Sequence, residues 1–167
     1  MMRAKSLAEM RCSVASALGM IGDRWSLLVI WDLSFGLRRF KELRTSTGIP
    51  SATLAARLKH LEARCIIERV RYHNRPPRDE YHLTPKGRDM WKVSTALREW
   101  GDRWDSSGEP TFEMVDRKTG RRVILGLVDV ETNRAVSLDR VQLRPGPGAD
   151  DAMQRLLDPE SQGSYQA

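Results

Sequence analysis

Apolar positions recur at helical spacing through the first third of the chain. Val14, Ala17, Leu18 and Ile21 predict a helix that Gly22 closes. Asp23 stands where it can cap a second helix. There Trp25, Leu28, Val29 and Leu33 make one face, and Leu27, Ile30 and Trp31 widen it. A helix apolar almost all round belongs at the centre of a core. A short third helix is predicted over 38–47, with Phe40 and Leu43 inward. Thr47-Gly48-Ile49-Pro50 then turns the chain, and Gly48 can take positive φ without strain. Ser51 opens a fourth helix, its hydroxyl placed to accept from the N–H of Thr53 or Leu54. Leu54, Leu58 and Leu61 form its inward stripe. The opposite face is expected to show Thr53, Ala56, Arg57 and His60, flanked by Ser51, Lys59 and Arg64.

After Arg64 the period drops to two. Residues 66–72 and 79–84 alternate well enough for two strands around the tip His73-Asn74-Arg75-Pro76-Pro77-Arg78. Its prolines stiffen the loop and oppose strand-edge pairing. Thr84-Pro85 reads as the cap and first residue of one long helix reaching Trp104. Met90, Val93, Leu97 and Trp100 share a face, with Trp104 a further turn on. Gly101 falls inside that helix, where it costs about 1 kcal/mol. Residues 105–110 read as a linker. Beyond it, 112–143 alternate with turn signals at Thr119-Gly120 and Thr132-Asn133, which predicts two or three strands. One or two helical turns are expected over 151–157, and disorder over 158–167.

Three helices, a tight turn, a fourth helix with a polar outer face and a β-hairpin make a winged helix-turn-helix. The fold class is therefore α+β. Residues 1–105 form the DNA-binding and dimerisation domain, 111–145 a small β-rich extension and 146–167 a flexible tail. In such a unit the helix after the turn enters the major groove and its N-terminal half reads base edges.

Charge sharpens this picture. The chain carries a net +6, and residues 38–88 alone hold 13 cations against 5 acids. A concentrated excess of this kind suits a polyphosphate partner. The densest apolar run, Trp25–Trp31, is far below the ~20 residues that cross a bilayer. The Met1 end has no apolar signal-like stretch. Only two cysteines occur, without Cys-x-x-Cys or histidine at ligand spacing, so neither a zinc site nor a disulfide framework is indicated. No cofactor is called for, and a cytoplasmic location is expected.

Several segments together resemble HxlR-type bacterial transcriptional regulators, a winged-helix family related to the MarR group. They are Cys12 with "ALGMIGDRW", then "RRFKEL", "LAARLKHLEARCIIERV" and "RPPRDEYHLTPKGR", spread over about residues 12–104. The resemblance implies a homodimer on operator DNA, built from the N-terminal helix and the long helix after the wing. It also brings Cys12 forward as a thiol switch, since the family includes thiol sensors. The chain departs from the pattern at Ile49-Pro50-Ser51, where members have Ile-Ser-Pro. At Cys65 members usually place Gly, and Cys in a left-handed helix end costs about 1 kcal/mol, so a different boundary after Arg64 is expected. The extension lacks the cysteine pairs that some longer members carry.

The candidate contacts follow. Arg57, one turn past Thr53, has a fork that matches guanine O6/N7; the competing role is a surface partner of Glu62. Ser51, Thr53, Lys59 and His60 flank it. Arg75 and Arg78 at the wing tip suit phosphates or the minor groove, unless Arg78 pairs with Glu80. Arg38, Arg39 and Lys41 suit the DNA backbone. Val93, Leu97, Trp100 and Trp104 are the candidate dimer face. Glu99, Asp102 and Asp105 read as a solvated face, and no catalytic motif is present, so no enzyme is expected. The partners expected are double-stranded DNA, a second copy of the chain, and a small-molecule or oxidant effector. A winged helix that binds protein instead of DNA is the alternative.

Overall fold

The computed structural model describes residues 12–105 and 109–158. They fall into two compact units, one ending at Thr111 and one beginning at Phe112. The first holds α1 (Ser13–Ile21), α2 (Arg24–Ser34), α3 (Phe40–Thr47) and α4 (Ser51–Ala63). A hairpin of β1 (Ile67–Asn74) and β2 (Pro77–Leu83) follows, then α5 (Pro85–Asp89) and α6 (Trp91–Trp104). This is the winged helix-turn-helix order, in the α+β class.

Helix α2 is the centre of the packing. Its Val29, Ile30 and Leu33 are buried against Leu43, Ile49, the Leu54–Leu58–Leu61 stripe of α4, and Ile66, Ile67 and Leu83 at the wing base. Asp23 Oδ1 accepts from the Ser26 N–H at 3.0 Å, as its capping position predicts. Leu28, expected inward, is exposed, and Ile30 takes the buried position. On α1 the buried residues are Ala15 and Ile21, which leaves Val14 and Leu18 on the surface.

The junctions explain why the elements stop where they do. Gly48 ends α3 in the left-handed region, at φ 68°, and its N–H donates to Arg44 O at 3.0 Å. At the end of α4 the Ile66 N–H donates to Leu61 O (3.0 Å) and the Cys65 N–H to Glu62 O (2.9 Å). That pair of bonds is the Schellman motif, with Ile66 and Leu61 as its apolar contact. Cys65 occupies the left-handed position at φ 54°. The family's boundary is therefore kept despite the missing glycine.

Two further expectations are corrected. Ser51 does not cap α4; Pro50 is the cap residue, and Ser51 Oγ accepts from Arg44 Nη1 at 3.2 Å. The helix after the wing is not continuous. At Met90 the N–H turns back to Gly87 O, three residues earlier, at 3.2 Å, which ends α5 before α6 starts. Gly87 is pressed onto the wing base: a Cβ there would lie 2.0 Å from Ile66 O.

The wing is longer than its alternation suggests. Asn74 pairs with Pro77, so the turn is only Arg75-Pro76, and the register shifts between Arg71 and His73. The wing is also stitched to the start of α3. Tyr81 N–H donates to Arg38 O at 2.8 Å, and Arg39 bridges Glu80.

In the second unit two nine-residue hairpins repeat one pattern, Val-Asp-x-x-Thr-(Gly/Asn)-Arg-x-Val, at Val115–Val123 and Val128–Val136. Asp116 Oδ1 accepts from the Lys118 and Thr119 N–H groups (2.7 and 2.9 Å). Asp129 Oδ1 does the same with Glu131 and Thr132 (3.0 and 2.8 Å). Gly120 and Asn133 close the turns with φ 66° and 55°. Among its described residues, regular pairing is limited to β3 (Leu127–Val128) with β4 (Ala135–Val136) and a bridge from Val115 to Arg122. No described residue from 109 to 158 is buried. Within the predicted tail, the helical turns expected over 151–157 are present as α7 (Asp151–Leu156), its cap Asp150 accepting from Met153 N at 2.9 Å. Residues 159–167, most of the stretch expected to be disordered, lie outside the described residues.

Candidate nucleic-acid interface

The candidate contacts come from the start of α3, from α4 and from the wing, all in the first unit. Arg39 caps α3 and Lys41 lies in its first turn. Glu42 reaches back so that its Oε2 accepts from the N–H groups of Arg38 and Arg39, both at 2.9 Å. Those two bonds hold its carboxyl below the usual carboxylate range. The cations are thus carried on a pinned backbone.

Along α4 the structure revises the sequence reading. Arg57 is not on the outward face. It is half-buried, and its Nε lies 2.5 Å from Asp23 Oδ2, an ion pair without an aligned hydrogen bond. Its partner is Asp23, not Glu62. One turn on, His60 Nε2–H donates to Met20 O at 2.9 Å, and the ring lies over Gly22. Both side chains therefore clamp α4 to the α1–α2 corner. The physical reason is angular. Arg57 and His60 flank Leu54, Leu58 and Leu61, so the side of the stripe facing the corner takes them inward. The exposed face is made of Ser51, Ala52, Ala55, Ala56 and Lys59, continued by Glu62 and Ala63 in the last turn, with Thr53 half-buried at its edge.

On the wing the four arginines divide. Arg69 and Arg71 on the stem share Asp79: Arg71 Nε lies 3.0 Å from Oδ1, and Arg69 Nε 2.8 Å from Oδ2. Arg71 first, then Arg69, draws the Asp79 carboxyl below its ordinary range. Arg39 Nε meets Glu80 Oε1 at 3.1 Å and its guanidinium stacks over Tyr72. Glu80 is therefore committed to Arg39 rather than to Arg78. Among the described residues Lys41, Lys59, Arg75 and Arg78 enter no ion pair, and all four are exposed. Arg44, missed in the sequence, is exposed beside the start of α4 through its bond to Ser51. Only the turn geometry reveals it.

Other candidates lie elsewhere. Cys12 is the half-buried cap residue of α1, its carbonyl accepting from Ser16 N at 2.9 Å; Arg11 lies outside the described residues. Val93, Leu97, Trp100 and Trp104 run along α6 and are all exposed. Among the described residues no group of three or more His, Cys, Asp or Glu side chains could hold a metal ion. No single described helix is long and apolar enough to cross a membrane.

A turn, a recognition helix with a bare outer face and a cationic wing define the winged helix-turn-helix of transcriptional regulators. The chain belongs to the HxlR-like helix-turn-helix family, whose model matches residues 20–109. It is 35% identical over 137 residues to an uncharacterized HTH-type transcriptional regulator of Mycobacterium tuberculosis, covering 81% of this chain and 87% of that one. A second such regulator, from Methanothermobacter thermautotrophicus, is 39% identical over 106 residues, covering 63% of this chain and 81% of that one. The solved structure of PA1607 matches with a TM-score of 0.71 at 30% identity, covering 85% of this chain and all of that one. The redox regulator HypR, in its reduced form, matches with a TM-score of 0.51 at 34% identity, over 54% of this chain and 90% of HypR.

Proposed function

We propose that the protein regulates transcription by binding operator DNA as a homodimer. Helix α4 enters the major groove by its Ser51–Lys59 face. Arg75 and Arg78 grip phosphates or the minor groove, and Arg38, Arg39, Lys41 and Arg44 meet the backbone. The observation that carries this reading is the division of cations. Those on the wing stem are tied to Asp79, while Lys41, Lys59, Arg75 and Arg78 are exposed on α3, α4 and the wing tip without an ion-pair partner among the described residues. Arg57 acts as a positioning residue that holds α4 against Asp23. Binding measured across salt tests the proposal. Each phosphate neutralised gives a log–log slope of roughly −0.9. Arg75→Ala is expected to weaken binding to specific and random DNA alike and to reduce the slope by about 1. Sequences selected from a random pool by Arg57→Ala are expected to keep the wild-type consensus. A slope near zero for the wild type refutes the electrostatic account.

A response to a thiol oxidant through Cys12 is the second part of the reading. Its support is the place of Cys12, half-buried at the cap of α1, and the likeness to the redox regulator HypR. Loss of operator binding after oxidant treatment, abolished in Cys12→Ser, is the expected result.

A further inference from the structure

Between the end of α2, the base of the wing and the start of α6 lies a cavity of about 430 Å³. That volume falls within the range of small-ligand pockets. Its apolar walls are Leu33, Leu83 and the half-exposed Trp91. Its charged groups are Arg38, Arg88 and Glu68, with His82 opposite Glu68 across the two strands. Arg38 Nη1 donates to Leu33 O at 3.3 Å, and Arg88 Nη1 to Leu83 O at 2.8 Å. Each guanidinium is thus anchored through one nitrogen. A guanidinium has five N–H donors in a planar fork, so both keep donors to offer. Among the described residues neither enters an ion pair. Two guanidinium groups against one carboxylate give the lining an uncompensated positive charge. Apolar groups on three elements favour a ligand with an apolar body beside its charge.

We propose that this cavity binds a small organic monoanion with a flat apolar body, such as an aromatic carboxylate. Arg38 and Arg88 hold the carboxylate and Trp91 lies against the ring. The site also bears on DNA, and this part rests on the DNA-binding reading above. Arg38 accepts the Tyr81 N–H at its carbonyl and is followed by Arg39 at the cap of α3. An anion that engages Arg38 withdraws it from a phosphate and competes with DNA. By linkage DNA must weaken the anion by the same factor.

Benzoate is the probe, titrated calorimetrically into the full-length protein without DNA. One site per chain is expected, with benzamide (the body without the charge) and acetate or inorganic phosphate (charge without the body) about tenfold weaker or more. Glu68→Gln is expected to tighten benzoate, a gain that misfolding cannot produce. Arg88→Gln is expected to weaken it by about tenfold while leaving DNA affinity in the absence of benzoate unchanged. Benzoate binding no tighter than benzamide or acetate, or unaffected by both variants, overturns the site. Anisotropy of labelled DNA supplies the second arm. Saturating benzoate that leaves DNA affinity unchanged overturns the competition and keeps the site. Absence of DNA binding without benzoate instead refutes the reading on which the competition rests.

Discussion

Arg57 shows how a residue's type can be legible and its direction not. Its place on a cationic helix was readable in the sequence. That it turns to Asp23 depends on a fold in which the α1–α2 corner lies beside α4, a long-range fact that helical periodicity does not contain. His60 followed the same path, to Met20 O. Cys65 is a different case. The missing glycine pointed to a shifted boundary after Arg64, yet the left-handed conformation is kept and the strain is present at φ 54°. Left-handed backbone disfavours any side chain with a Cβ, by about 1–2 kcal/mol. Cys65→Gly is therefore expected to stabilise the protein by about 1 kcal/mol, read as a higher urea midpoint at unchanged slope. A lower midpoint contradicts the argument.

Elements were legible where local chemistry decides them. The buried stripe of α4, the Asp23 cap and the Gly48 turn all follow from spacing and side-chain type. The break at Met90 was not legible, because it arises where Gly87 meets a carbonyl on the wing. The second unit was legible as two or three strands around two turns, but not the nine-residue repeat of its hairpins, since without buried side chains alternation does not set pairing. Their strength lies in two carboxylates. Backbone N–H groups, Thr119 foremost at Asp116 and Thr132 at Asp129, hold both below the ordinary range. A carboxyl depressed in the folded state adds stability that is full above its unfolded value, about 3.9, and is lost as pH falls through the folded value. Protection of the Lys118, Thr119, Glu131 and Thr132 amides, measured against their intrinsic exchange rates, is thus expected to hold near neutrality and to fall only in strong acid. Titration midpoints of Asp116 and Asp129 at or above about 3.9 would contradict this.

At the scale of the molecule, the basic excess and the apolar stripe of α6 were both visible in the sequence. The partners proposed for them were not, because a partner on another molecule leaves no trace in the pattern of one chain. Trp100 is 62% exposed and Trp104 65%, with Val93 and Leu97 beside them. An exposed apolar row of this kind suits the proposed dimer contact. Isologous pairing requires the same patch on both copies. Trp100→Asp is expected to give monomers at micromolar concentration that retain their helical circular dichroism. Wild-type protein sedimenting as a monomer under those conditions rules out the dimer.

The stitching of the wing to α3 has a thermodynamic consequence. With Tyr81 bonded to Arg38, Glu80 to Arg39 and the stem arginines to Asp79, the hairpin is ordered before any contact with DNA. Segments that fold on binding add a large negative heat-capacity change to that of docking alone. For this wing the added part is absent, and the heat capacity of association tracks the apolar area that two rigid surfaces cover.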